Sequence, residues 1–336
     1  MNYPDFLSQI RCQMELRMGS QASVSIQPVL KNNDLHLDGL LIMQPGENIT
    51  PTIYLNDYYE EYLGGASMQD ILSDIECVYE THRCPASFDV ALFQDFERLK
   101  GKIAFRLINR AANKTLLEDL PFIPFLDLAV VFYFTIENDF IGSSTALIHK
   151  RHMELWETTA EELYLLAFSN TRSHYGCEIR PMEQLIREIL ERDGSPFLKK
   201  DSSVYDCLSS GTGQVLESSA GMADCCPEKK SANPMYILTN RERAFGAVCL
   251  LYDEVLQKFA DELDDDFYVL PSSIHEVILL PCKKSPSPDS LQNMVREINE
   301  TDVAPDEVLS DHIYVYRAAG RHLGLVLFSH EKICCH

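Results

Sequence analysis

The chain has 336 residues, 46% of them hydrophobic, and a formal net charge of −22 from 51 acidic and 29 basic side chains. That length exceeds one comfortable hydrophobic core and predicts two domains. The acidity is spread along the chain, −13 before residue 195 and −9 after it, and its field repels phosphate backbones and anionic lipid, so nucleic acid and membrane are excluded as expected partners.

From Ser23 to Met43 apolar residues alternate on either side of the polar tetrad Lys31-Asn32-Asn33-Asp34, which predicts a β-hairpin. Pro51 to Leu55 reads as a short extended segment leading into the aromatic, acidic stretch that ends at Tyr62, and Gly64-Gly65 stops it. The side chains from Tyr54 to Tyr62 suit a partner's docking surface and ordinary amphipathic packing equally well. Ser67, with Asp70 three residues on, caps a helix whose buried stripe is Ile71, Ile75 and Val78. Further helical character is expected from Phe88 to Arg110. Leu120 to Phe125 carries two prolines and reads as a rigid aromatic connector.

Leu128 to Ile136 is too short to span a membrane and suits a buried strand; with Asn138-Asp139 as the turn and Ser144 to Lys150 as its partner, it predicts a second hairpin. Thr159 and Glu162 form a capping box for a helix to Asn170, and Pro181 opens another to about Arg192. Between Asp201 and Pro234 there are seven serines, three glycines and few large apolar side chains. Such a composition cannot offset its ordering entropy, so residues 201–234 are expected to be a flexible linker between domains 1–200 and 235–329, with a tail at 330–336.

In the second domain Met235 to Leu238 predicts a strand, and Thr239 with Glu242 a capping box for one long core helix to about Leu263. Strands follow at Phe267 to Leu270 and Ile274 to Leu280, then a helix from Ser287-Pro288 to Asn299, then strands at Ile313 to Tyr316 and Leu323 to Phe328. The fold class is α+β, two domains with antiparallel or mixed sheets. The carboxy-terminal order β-α-β-β-α-β-β is ferredoxin-like, with helices expected on one face.

Certain stretches carry a resemblance. Met235 to Asn240, Phe245-Gly246-Ala247, Asp266 to Glu276 and Asn293 to Asn299, with Asp127 to Val131 and Met153 to Trp156 in the first half, are similar to a bacterial family known only as a domain of unknown function, the one numbered 5688. The resemblance extends over nearly all the chain outside the serine-rich segment, and a second uncharacterised bacterial family is more distantly similar. It implies a bacterial, cytoplasmic protein and brings no activity or catalytic residue with it.

The residues themselves offer few sites. Ser272, Ser273, His275 and Glu276 contain the residue types of a nucleophile, base and orienter, but on a strand Ser273 and His275 share a face that Glu276 does not, so a relay needs a carboxylate from elsewhere. A hairpin turn explains the same residues more simply. Cys249 could pair with His275 as a thiol nucleophile, although its mid-helix apolar position reads as core. His149 with His152, His82 with Cys84, and Cys334-Cys335-His336 lack the paired spacing of a metal site. Asp264 to Asp266 and the acidic stretch from Asp302 to Asp311 lack the pattern of a calcium loop. No phosphate-binding glycine loop is present, so neither metal nor cofactor is expected. Eleven cysteines without a repeated spacing read as reduced thiols, and no apolar segment of signal-peptide type opens the chain. The expectation is a non-enzymatic cytoplasmic interaction or regulatory protein with a protein partner; the alternative is a hydrolase around Ser273 and His275.

Overall fold

A computed structural model describes residues 1–83, 90–138, 142–192 and 234–326. The expected linker, apart from Pro234, and the expected tail lie outside the described residues. The chain is α+β and divides into two compact units, Met1–His174 and Tyr175–His336.

The first unit opens with α1 (Tyr3–Met18), capped by the Asn2 side chain, which accepts from the Asp5 amide at 2.9 Å. Its buried residues Phe6, Ile10 and Met14 recur every four positions, so they form one stripe. That stripe packs with strands β1 (Ser23–Leu30), β2 (His36–Met43) and β3 (Thr52–Tyr54) and with helices α2 (Leu55–Leu63) and α3 (Met68–His82) in one core. The hairpin and its register, Ser23 opposite Met43 and Leu30 opposite His36, follow the expected alternation. Its turn places Asn33 and Asp34 at positive φ, which short polar side chains tolerate. The α3 cap is as expected, with Ser67 Oγ accepting from the Asp70 amide at 3.1 Å. The tyrosines of α2 pack inward: Tyr59 lies 4.9 Å from Tyr3 and 5.2 Å from Phe6, and Tyr62 5.6 Å from Phe6.

Two expectations fail in the next stretch. A short helix α4 (Phe96–Leu99) is present, but Ile103–Asn109 is strand β4, paired along its whole length with the long strand β6 (Leu128–Asn138). Five of its residues, Ile103, Ala104, Phe105, Leu107 and Ile108, are apolar and buried on both faces, so periodicity could not separate strand from helix. The supposed connector is also a strand. Phe122–Phe125, β5, takes the other edge of β6, where Pro124 needs to donate to no further neighbour. Strand β7 (Gly142–Leu147) continues along that edge. Between β4 and β5 lies α5 (Lys114–Leu117), tied to the first hairpin: the Asp34 carboxylate accepts from the Thr115 and Leu116 amides at 2.8 and 3.1 Å. The unit ends with α6 (Lys150–Trp156), which the sequence reading lacked, and α7 (Ala160–Tyr175), whose Thr159–Glu162 capping box has both bonds, at 2.9 and 3.2 Å.

The second unit begins earlier than composition suggested. Strand β8 (Glu178–Pro181) pairs with β9 (Tyr236–Thr239), so β8 and the following helix α8 (Met182–Arg192) go with the second unit and not with residues 1–174. Polar Glu178 and Arg180 leave β8 without a strand signal of its own, and only the sheet edge recruits it. The expected long core helix is interrupted. Residues 240–245 form a turn with Arg243 and Phe245 at positive φ, Gly246–Leu251 is 3-10, and the α-helix α9 spans Asp253–Leu263. Thr239 ends the strand instead of capping: its hydroxyl donates to the His275 carbonyl at 2.9 Å.

Strands β10 (Phe267–Leu270) and β11 (Val277–Pro281), helix α10 (Pro288–Thr301) and strands β12 (Tyr314–Arg317) and β13 (His322–Leu325) complete a six-stranded antiparallel sheet in the order β13-β12-β10-β11-β9-β8. The expected element order is present, but its spatial arrangement differs from a ferredoxin-like one, and the two helices lie on opposite faces. Phe259 of α9 meets Tyr236 and Phe267, while Leu291 and Val295 of α10 pack with Leu270, Leu280 and Ile313. Handedness explains this. The connections β9-α9-β10 and β11-α10-β12 step the same way across the sheet from strands that run in opposite directions, so two right-handed crossovers must cover opposite faces.

Candidate functional site

The residues singled out in the sequence meet at a corner of the second unit, where Pro271 to Glu276 bends between β10 and β11. The backbone there is almost fully engaged. Leu309 and Ser310 amides donate to the Ser272 and Pro271 carbonyls at 3.1 and 2.9 Å, and the Ile274 amide donates to the Glu307 carbonyl at 2.9 Å. From the other side the Ala247 amide donates to the Ile274 carbonyl at 3.3 Å. Gly246 is needed for this approach: a Cβ there would stand 2.1 Å from Thr239 Oγ1, 2.5 Å from the His275 carbonyl oxygen and 2.7 Å from the Asn240 nitrogen.

The side chains are held in the same mesh. Ser273 Oγ accepts from the backbone amide of His275 at 3.1 Å, a local serine turn. The His275 ring stacks on Phe245 at 5.5 Å, and its Nδ1 accepts from the Phe245 amide at 3.2 Å. An Nδ1 that accepts leaves the hydrogen of a neutral ring on Nε2. Nε2 faces Glu307 Oε1 at 3.4 Å, with the two side chains 29% and 44% exposed. The carboxylate beside the imidazole is thus Glu307, while Glu276 is half-buried at the entrance to β11. No short-range pattern could have found Glu307, which sits in the acidic stretch from Asp302 to Asp311, 32 positions beyond His275. The Phe245 amide reaches the ring only because the chain turns at 240–245 where a helix was expected.

Other candidates lie apart from the corner. Cys249 is fully buried, its sulfur 3.8 Å from the Gly176 carbonyl oxygen and beside the Cys177 thiol. The neighbouring Cys177 thiol and burial push its pKa far up, so in the reduced protein it is a protonated thiol closed to an outside substrate. In the first unit His149 Nδ1 lies 2.6 Å from Asp119 Oδ2, and His152 Nδ1 accepts from the His149 amide at 3.0 Å. Burial, then His149 and Arg151, hold the His152 imidazole below its usual value. Both histidines orient α6, with His152 stacked on Trp156 at 5.4 Å. An open recess of about 560 Å³ runs between Leu120-Pro121-Phe122 and the α6 side chains Lys150 and Met153. Among the described residues, no group of three or more His, Cys, Asp or Glu side chains could hold a metal, and no helix is long and apolar enough to cross a membrane. Cys84 and Cys334-Cys335-His336 lie outside the described residues.

A family model described as a family of unknown function, DUF5688, matches residues 3–318. The chain belongs to that family. No curated protein and no solved structure matches it. The DUF5688 match runs through the first compact unit and into the second as far as residue 318, which includes every residue of the corner together with Cys177 and Cys249.

Proposed function

We propose that this DUF5688 chain is a non-enzymatic interaction or regulatory protein of the bacterial cytoplasm, acting through a protein partner. The observation that carries the reading is the use made of Ser273 and His275. The serine oxygen accepts from a backbone amide, and the imidazole nitrogen with the free lone pair accepts from another. A general base must offer that lone pair to the nucleophile's proton, and here it is spent on holding the turn. The net charge of −22 supports a freely diffusing protein that avoids nucleic acid and anionic lipid.

A hydrolase centred on Ser273 and His275 is the second reading, favoured by one observation: Glu307 supplies at 3.4 Å the carboxylate that the local sequence lacks. It requires the ring to give up the Phe245 amide before it can act as a base. One experiment separates the two. The purified full chain and its Ser273→Ala variant are exposed to a fluorophosphonate probe and to a panel of p-nitrophenyl esters, and affinity purification from the native host follows. The interaction reading expects labelling and turnover no different between the two proteins, and a reproducible partner that binds the purified chain directly. Labelling that disappears in Ser273→Ala, with turnover and no direct partner, overturns it in favour of the hydrolase.

A further inference from the structure

Cys177 and Cys249 are 72 positions apart in the chain, and the fold of the second unit sets them side by side. Cys177 directly precedes the edge strand β8, and its side chain is half-buried. Cys249 sits in the 3-10 segment Gly246–Leu251, with no exposed surface. Its thiol lies 3.8 Å from the carbonyl oxygen of Gly176, the residue directly before Cys177, and the Cys177 thiol is its neighbour. Gly176 makes the approach possible: its φ is +61°, and a Cβ would stand 3.1 Å from Nε of Arg241, whose guanidinium lies over this backbone. The Arg241 amide in turn donates to the Tyr175 carbonyl at 3.0 Å, anchoring the strand entry to the 240–245 turn. An accessible thiol, a buried thiol against it and a guanidinium beside their backbone are the parts of an oxidisable pair; Glu178, next in the chain, is an acidic neighbour of Cys249.

We infer that Cys177 and Cys249 form a redox-active dithiol that closes to a disulfide when the protein meets hydrogen peroxide. Cys177 is the attacking group because it is the one a peroxide can reach. Its thiolate sulfur takes one peroxide oxygen: an S–O bond forms, the O–O bond breaks, and hydroxide leaves to be protonated to water. The Cys249 sulfur then attacks the sulfenic sulfur, forming the S–S bond and breaking S–O; the departing hydroxide takes the Cys249 proton and leaves as a second water. Two thiols and one peroxide give one disulfide and two waters, with two electrons passing from sulfur to oxygen. Rotation of the half-exposed Cys177 side chain brings the two neighbouring sulfurs to bonding distance. The bond would staple the entry of the second unit to the segment beneath the His275 corner, since Ala247 and Phe245 both donate to that corner.

The test uses the full chain treated with stoichiometric peroxide, alkylated without reduction and mapped as peptides, alongside thermal melting by circular dichroism. The expected result is a Cys177–Cys249 linked peptide, removed by dithiothreitol, and a melting temperature raised by several degrees in the oxidised protein. In Cys177→Ser, which changes one atom at a half-exposed site and keeps the fold, both the link and the shift are lost. In Cys249→Ala, Cys177 accumulates instead as a sulfenic acid trapped by dimedone. Oxidation of wild-type Cys177 to sulfenic or sulfinic acid without linkage, or linked peptides that join other cysteines in its place, overturns the proposal. Either outcome leaves the reading of Ser273 and His275 untouched.

Discussion

Replacing Gly246 with alanine puts a methyl group where three atoms already stand, 2.1, 2.5 and 2.7 Å from the site of its carbon. The nearest, Thr239 Oγ1, can rotate away, but only by giving up its hydrogen bond to His275, worth about 1 kcal/mol. The other two are backbone atoms of His275 and Asn240 and can move only if the corner or the end of β9 moves. Forced overpacking of this kind costs about 1–3 kcal/mol, which brings the total to roughly 2–4 kcal/mol. With a urea slope of about 2 kcal/mol per molar, the unfolding midpoint of the second unit should fall by roughly 1–2 M. The single tryptophan, Trp156, lies in the first unit. Its fluorescence reports that unit, so the measurement needs circular dichroism or hydrogen exchange of the amides at 267–281. Adding Thr239→Ala removes the closest contact and leaves the two backbone ones, so the double variant should recover no more than about 1 kcal/mol. Wild-type stability in Gly246→Ala, or in the double variant, would refute the close approach of these three segments.

Asp34→Ala should cost roughly 1 kcal/mol in urea unfolding of the first unit, followed by Trp156 fluorescence, because it removes the acceptor for both amides that open α5. Asp266 links pH to stability in the second unit. The Arg317 hydrogen bond, with the Ala318 amide, holds its carboxyl below the ordinary 3.8, against burial. A depressed folded value means the stabilisation is complete above the unfolded pKa and is lost as the pH falls through the folded one. Asp266→Asn should therefore be less stable than wild type by up to about 1 kcal/mol at neutral pH, with the gap closing below about pH 4 in parallel acid titrations. A gap that persists at low pH would show that the carboxylate charge plays no part. Ser273→Ala should lose about 1 kcal/mol of stability through the orphaned His275 amide, measured by urea unfolding, and leave any partner affinity unchanged.

Much of the molecule was legible from residue order because the signals were local. Ser67 with Asp70, Thr159 with Glu162 and Ser287 with Pro288 are caps whose geometry is complete within one helical turn, and each stands where it was expected. The hairpin at Ser23 to Met43 is equally local, its polar tetrad flanked by alternating apolar residues. The misreadings share a different cause. Thr239 and Glu242 have the spacing of a capping box, yet the Thr239 hydroxyl goes to a carbonyl 36 positions away, and the helix waits until Asp253. Ile103 to Asn109 becomes a strand because β6 pairs with it, and β8 becomes one because β9 has a free edge.

The candidate site divides in the same way. Ser273 and His275 were visible as residue types, but Glu307, the Phe245 amide and the pairing of Cys177 with Cys249 arise from contacts between 30 and 72 positions apart. Residue order by itself determined the acidic character, the α+β class, the helix caps and the family to which the chain belongs, since composition and short-range spacing carry all of these. Tertiary structure alone decided which faces the two core helices cover, which strands join the second sheet and what each polar group at the corner touches. Its physical reason is that a hydrogen-bonding group is satisfied by whatever partner the packed chain brings within about 3 Å, and proximity in space is not written in the spacing of residues.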